Sequence, residues 1–148
     1  MLETGAKAPD FSLLDDEGNK RTLTEFTGKT LVLWFYPKAD TPGCTIEGKG
    51  FRDLKADFDQ RNVVLCGVSF DDVAANRAFR EKCEFPYSLL CDTDKQLAIA
   101  CGAAADASAG TAKRITVVVG PDGNVRKVYD TVKPAEHPKQ VLDDLATL

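Results

Sequence analysis

Cys44 stands in the stretch FYPKADTPGCTIEGKGFRD, Phe35 to Asp53, three residues after Thr41 and two after Pro42. Threonine suits a helix N-cap and proline the first helical position, so this spacing predicts Cys44 in the first turn of a helix. Backbone N–H groups there have no intrahelical acceptor, and with the helix dipole they favour an anionic sulfur. Thiolate is the form that attacks peroxides and disulfides, so the position suits a nucleophile. The same residues equally fit a plain capped helix with a small side chain near its start, and local propensity does not choose between the two.

The other four cysteines, Cys66, Cys83, Cys91 and Cys101, form no C-x-x-C pair, and the single histidine, His137, lies in PAEHPKQ, where it reads most simply as a surface residue. A zinc site would need scattered thiolates, so no metal is expected. Thiols kept in a reducing compartment are either small buried hydrophobes or reactive centres. The chain has 148 residues, 43% hydrophobic and 28% charged, which suits one domain over 1–148 and argues against disorder. A net charge of −4 offers no basic stripe for phosphates, so neither nucleic acid nor an anionic membrane is an expected partner. MLETGAKAP lacks a basic segment followed by an apolar one, and no run has the length of a membrane span; a cytoplasmic location is expected.

The elements that must position Cys44 follow from periodicity. FSLLDDEGNKRTL reads as two strands around a turn at Asp16 to Asn19, and TLVLWFYP as a strand buried on both faces and ended by proline. Phe51, Leu54 and Phe58 recur at helical spacing and predict one amphipathic helix from Thr41 to about Gln60. NVVLCGVSF is a second buried strand, DDVAANRAFREKC a helix, YSLLCD a short strand and DKQLAIACG a helix ending at Gly102. CGAAADASAGTAK reads as a connector, KRITVVVGPDGNVRKVYD as two strands joined through Pro121-Asp122-Gly123, and EHPKQVLDDLATL as a closing helix. This order predicts an α/β thioredoxin-like fold, a mixed central sheet flanked by helices with an N-terminal β-hairpin extension.

PKADTPGC, Pro37 to Cys44, resembles the P-x-x-x-T-x-x-C signature of the peroxiredoxins. The longer YPKADTPGCTIEGKGFRD, together with GAKAPDFSLLDDEG, VVLCGVSFDD and KRITVVVGPDGNV, is similar to the subfamily called peroxiredoxin Q or bacterioferritin comigratory protein. The resemblance implies reduction of hydrogen peroxide or organic hydroperoxides by Cys44 without a cofactor, and thioredoxin or a similar thiol as reductant. It also implies a monomer or weak dimer. By the same resemblance Arg114 matches the active-site arginine and Pro37 the proline that shields the sulfur; each otherwise reads as an ordinary strand-end residue. Attack on the O–O bond leaves charge on an oxygen, so donors are needed near it, and Thr41 offers a hydroxyl. A fixed cation such as Arg114 favours both thiolate and developing anion. Glu47, one helical turn beyond Cys44, is placed to orient Arg114 by a charge-assisted hydrogen bond, or else is a solvated helix carboxylate.

One departure from the subfamily matters. Many members carry a second, resolving cysteine five residues after the first, and here that position is Lys49. The sulfenic acid formed by peroxide must condense with another thiol. Cys83, on the helix from which other members resolve, is one candidate, although Ala75, Phe79 and Cys83 at i, i+4 and i+8 also make a core stripe. Cys66 reads as strand core, and Cys91 and Cys101 as core or helix-end packing with exposure open; an external thiol is the remaining route. Gly48 and Gly50 predict either a weakly held helix or close packing against a neighbour. A thiol-disulfide oxidoreductase or redox-sensing binding module of thioredoxin type is the competing class. TPGC has Thr41 where C-x-x-C has its first cysteine, and no proline precedes RITVVV, so the peroxidase reading is favoured.

Overall fold

The computed structural model describes residues 2–148 and is built around β3 (Thr30–Phe35), whose unbroken apolar run is buried from Leu31 onward. Leu31, Leu33 and Phe35 point into one core layer; Val32 and Trp34, with Tyr36 just beyond, point into the other. Alternating side chains on a strand covered on both faces must all be apolar, which is why no polar period interrupts the run. β3 pairs in parallel with β4 (Val63–Ser69), and β4 in parallel with β5 (Ser88–Cys91). On its other side β3 runs antiparallel to β6 (Thr116–Val119), which turns through Gly123 (φ +85°) into antiparallel β7 (Val125–Tyr129). The N-terminal hairpin of β1 (Ser12–Asp15) and β2 (Lys20–Thr22) adds to β5, giving the sheet order β2-β1-β5-β4-β3-β6-β7. This is the expected mixed sheet.

The predicted helix from Thr41 to Gln60 is two: α1 (Pro42–Asp53) and α2 (Lys55–Gln60), interrupted at Leu54. α3 (Val73–Cys83) begins at Asp72, whose carboxylate accepts the Ala75 N–H at 2.9 Å, and ends against Glu84 in the left-handed region. α1, α2, α3 and the closing α5 (His137–Asp144) cover one face of the sheet with Phe51, Phe58, Phe79 and Val141. α4 (Gln96–Cys101), with Ala8, Phe11 and Phe26, covers the other. Among the described residues no helix is long and apolar enough to cross a membrane.

His137 corrects the sequence reading. It is fully buried, packed edge-on against Phe51 and Tyr129, with Nε2 2.8 Å from Thr116 Oγ1 and Nδ1 3.2 Å from Gln140 Oε1. Gln140 is one turn along the same helix, but Thr116, Phe51 and Tyr129 come from other elements, so the local sequence gives no sign of burial. Cys91 and Cys101 are buried as well.

Gly48 and Gly50 are packing residues. A Cβ on Gly48 would lie 2.4 Å from the Phe85 ring, and one on Gly50 2.6 Å from Pro138. The Gly48 carbonyl also accepts the buried Tyr87 hydroxyl at 2.8 Å. Gly48→Ala therefore pits a helix-propensity gain of about 1 kcal/mol against overpacking of about 1–3 kcal/mol on a ring held by Trp34, Phe79 and Tyr87. We expect the variant to unfold at lower denaturant than the parent protein; an equal or higher midpoint in urea would support the weak-helix alternative instead.

Candidate active site

A parallel strand followed by a crossover helix opens the helix N-terminus at the carboxyl end of the sheet, a common place for ligands. β3 ends at Phe35, the Tyr36 N–H makes a further rung to the Val68 carbonyl at 3.0 Å, and a loop through half-buried Pro37 leads into α1. Thr41 occupies the N-cap with extended backbone (φ −102°, ψ 156°) and Pro42 the first turn, as the residue types predict. The first helical bond runs from the Thr45 N–H to the Thr41 carbonyl at 2.9 Å. The N–H groups of Gly43 and Cys44 therefore remain as donors beside the sulfur.

The Thr41 side chain differs from expectation. Its hydroxyl does not cap the helix but donates to the Lys38 carbonyl at 2.7 Å. With its proton committed, the oxygen is left with lone pairs that can accept a further donor.

Arg114 arrives from the opposite strand direction. Because β6 runs antiparallel to β3, with Trp34 beside Thr116 and the Phe35 N–H bonded to the Ile115 carbonyl at 2.8 Å, the start of β6 lies next to the end of β3. Alternation then places Arg114 with Thr116 and Val118 on the face that α1 covers. Its Nη1 donates to Glu47 Oε1 at 2.9 Å and its Nη2 approaches Cys44 Sγ at 3.6 Å. Gly43 permits this approach, since a Cβ there would lie 2.9 Å from Nη2. Neither Gly43's part nor the burial of Glu47 is visible in the sequence, because both depend on what β6 delivers.

Cys44 and Glu47 are wholly buried, while the Arg114 side chain keeps 21% of its surface. Burial pushes the Glu47 carboxyl up, against the pull of Arg114, to about 7. Among the described residues its Oε2 has no hydrogen-bond partner. For Arg114, burial opposes the charge, but the bond to Glu47 and the field of Cys44 outweigh it. The arrangement is a guanidinium clamped by a carboxylate and aimed at a thiol, with two backbone N–H donors and a hydroxyl acceptor around it. Such a site holds a sulfur nucleophile and binds the charge that develops when it attacks a polar bond.

The other thiols sort by face. Cys83 ends α3 in the same core layer as Cys44, at 3% exposure, and its carbonyl accepts Arg52 Nη1 from α1 at 2.8 Å. Burial, helped by the Asp40 charge, pushes its thiol up, and the charges of Lys49, Lys82 and Arg52 only partly oppose this. Cys66 and Cys101 lie in the opposite layer, each pushed up to about 12 chiefly by burial. Cys91 Sγ accepts the Asn76 side chain at 3.4 Å.

Comparison with known proteins shows the family and the fold. The AhpC/TSA family model matches residues 4–128. A bcp peroxiredoxin of Coxiella burnetii is 37% identical over 97% of this chain and 99% of its own. The Mycobacterium tuberculosis peroxidoxin BcpB superposes with a TM-score of 0.92 at 32% identity, covering 100% of this chain and 99% of that one. The Xanthomonas campestris bacterioferritin comigratory protein, described with alkyl peroxide reduction activity, gives 0.89 at 34% identity, covering 99% and 96%.

The buried carboxyl sets a pH test. With the folded Glu47 near 7 and its ordinary value 4.5, the folded state takes up the proton first as pH falls. Its contribution to stability is thus least favourable above about pH 7 and improves toward 4.5. His137 acts oppositely: burial lowers its pKa below 6.5, so acid favours the unfolded ring. Comparing Glu47→Gln with the parent isolates the carboxyl. We expect the variant to be the more stable of the two at about pH 8, with the gap closing toward about pH 5; urea midpoints differing by a constant amount across that range would contradict it.

Proposed function

The chain belongs to the AhpC/TSA family and is a thiol peroxidase of the peroxiredoxin kind, and from this premise we propose that Cys44 is its peroxidatic cysteine, with Thr41, Arg114 and Pro37 completing the peroxide site and Glu47 orienting Arg114. The observation that carries this assignment is the contact of Arg114 with both Cys44 Sγ and Glu47 Oε1. In the proposed cycle the Cys44 thiolate attacks the nearer peroxide oxygen; the S–O bond forms as the O–O bond breaks, and the sulfur loses two electrons to the peroxide. The departing hydroxide or alkoxide is held by Arg114 and the free N–H groups until it takes up a proton and leaves as water or alcohol. Thr41 accepts the peroxide O–H and so fixes which oxygen faces the sulfur.

The sulfenic acid is next attacked by the Cys83 thiolate, which forms the S–S bond and expels hydroxide. Shared location in the α1-side layer supports Cys83 over Cys66 and Cys101, which would have to cross the sheet. Because Cys83 ends its helix, unwinding of one turn frees it, whereas Cys91 belongs to a sheet strand and is tied to Asn76. Thioredoxin or a similar dithiol then returns both cysteines to thiols. We further place this monomeric or weakly dimeric enzyme, a single domain over 1–148, in the cytoplasm, where five unpaired cysteines stay reduced.

Two measurements test this reading. Cys44→Ser should abolish peroxide consumption coupled to thioredoxin and its reductase, and retained turnover would rule out Cys44. After one equivalent of peroxide, mass spectrometry should find a Cys44–Cys83 disulfide that disappears in Cys83→Ser. A stable sulfenic acid in the parent protein would instead assign resolution to an external thiol.

A further inference from the structure

The loop that delivers Thr41 and opens α1 contains a residue in a costly conformation and is tied down from outside itself. Asp40 has φ +61°, a left-handed conformation unfavourable for a non-glycine residue, so external contacts help the loop hold its shape. One is the exposed pair of Lys82 Nζ with Asp40 at 2.9 Å, of a kind that contributes little. The other is stronger in character. The Ala39 N–H donates to Asp71 Oδ2 at 2.8 Å, a charge-assisted bond from the turn after β4. Asp71 is itself fixed: Ser69 Oγ lies 2.8 Å from the same Oδ2, and the Asp71 N–H donates back to Ser69 Oγ at 3.2 Å. Buried Ser69 Oγ lies 3.3 Å from Asn76 Oδ1, which accepts the Tyr36 hydroxyl at 2.7 Å. The chain of contacts thus returns to the end of β3, one residue before the loop begins.

We propose that Asp71 is a positioning residue for peroxide reduction: by holding the Ala39 N–H it fixes the loop that sets the Thr41 hydroxyl and the N-terminus of α1 around Cys44. Ala39 lies two residues from both Pro37 and Thr41, so slack at this one anchor displaces both walls of the peroxide site. The helix and its sulfur are held separately, by Arg114, by the Tyr87 hydroxyl on the Gly48 carbonyl and by Phe51 packed on Trp34, and survive loss of the anchor. Asp71 therefore acts on binding and orientation of the peroxide and not on the intrinsic nucleophilicity of the thiol. The proposal rests on the assignment of Cys44 as the attacking cysteine.

The test compares two electrophiles at Cys44, followed peptide by peptide by mass spectrometry: hydrogen peroxide, which needs an ordered loop, and iodoacetamide, which does not. In Asp71→Ala we expect the rate of Cys44 oxidation to fall about tenfold or more, the scale of a misplaced orienting group, while Cys44 alkylation does not slow. Asp71→Asn keeps one oxygen where Oδ2 accepts both the Ala39 N–H and Ser69 Oγ, so it should retain most of the peroxide rate and serves if the alanine variant folds poorly. A peroxide rate within about twofold of the parent in Asp71→Ala, or equal slowing of oxidation and alkylation, would overturn the proposal. The Cys44→Ser control separates this from failure of the site assignment, because activity surviving in that variant would remove Cys44 itself.

Discussion

The charge-assisted bond between Arg114 and buried Glu47 is the contact on which the site depends. A carboxyl with no exposed surface is costly to ionise, and a guanidinium reaching over α1 would be free to point into solvent. Each group solves the other's problem, and the price is strict geometry. Gly43 must lack a side chain so that Nη2 can pass, and β6 must run antiparallel to β3 so that its first residues meet the end of the neighbouring strand. His137 and Thr116 fill the space beneath, closing α5 onto the same face.

The sheet divides the chemistry of the five cysteines. Burial in the α4-side layer pushes Cys66 and Cys101 so far up that they remain thiols and behave as small hydrophobes. On the other side Cys44 sits under a cation, and Cys83 sits at a helix end whose carbonyl accepts Arg52 from α1. The glycines of α1 serve the same packing, allowing Phe85 and Pro138 against the helix backbone.

Much of this was legible beforehand. Apolar runs and alternation identified all seven strands, the Pro-Asp-Gly turn joined β6 to β7, and Thr41-Pro42 located the start of α1. The misses have physical causes. Leu54 breaks the helix after Asp53 although the apolar spacing continues, because periodicity records which face is buried and not whether the axis bends. His137 reads as polar surface because its partners, Thr116 and Tyr129, come from other strands. Asp71 passes for one more acidic residue before a helix until the loop it holds is in place.

The sequence by itself determined the order of elements and the placing of a cysteine in the first turn of a helix, since both follow from local propensity and spacing. Its likeness to the peroxiredoxins pointed to Arg114, and helical spacing offered Glu47 either as its partner or as a solvated carboxylate, but nothing between positions 44 and 114 encodes a distance. Tertiary structure alone decided that Arg114 reaches the sulfur, that Glu47 is buried, and that Cys83 shares a layer with Cys44. Those outcomes depend on strand register and on which side of the sheet each helix packs, and such long-range choices are fixed only when the two core layers close.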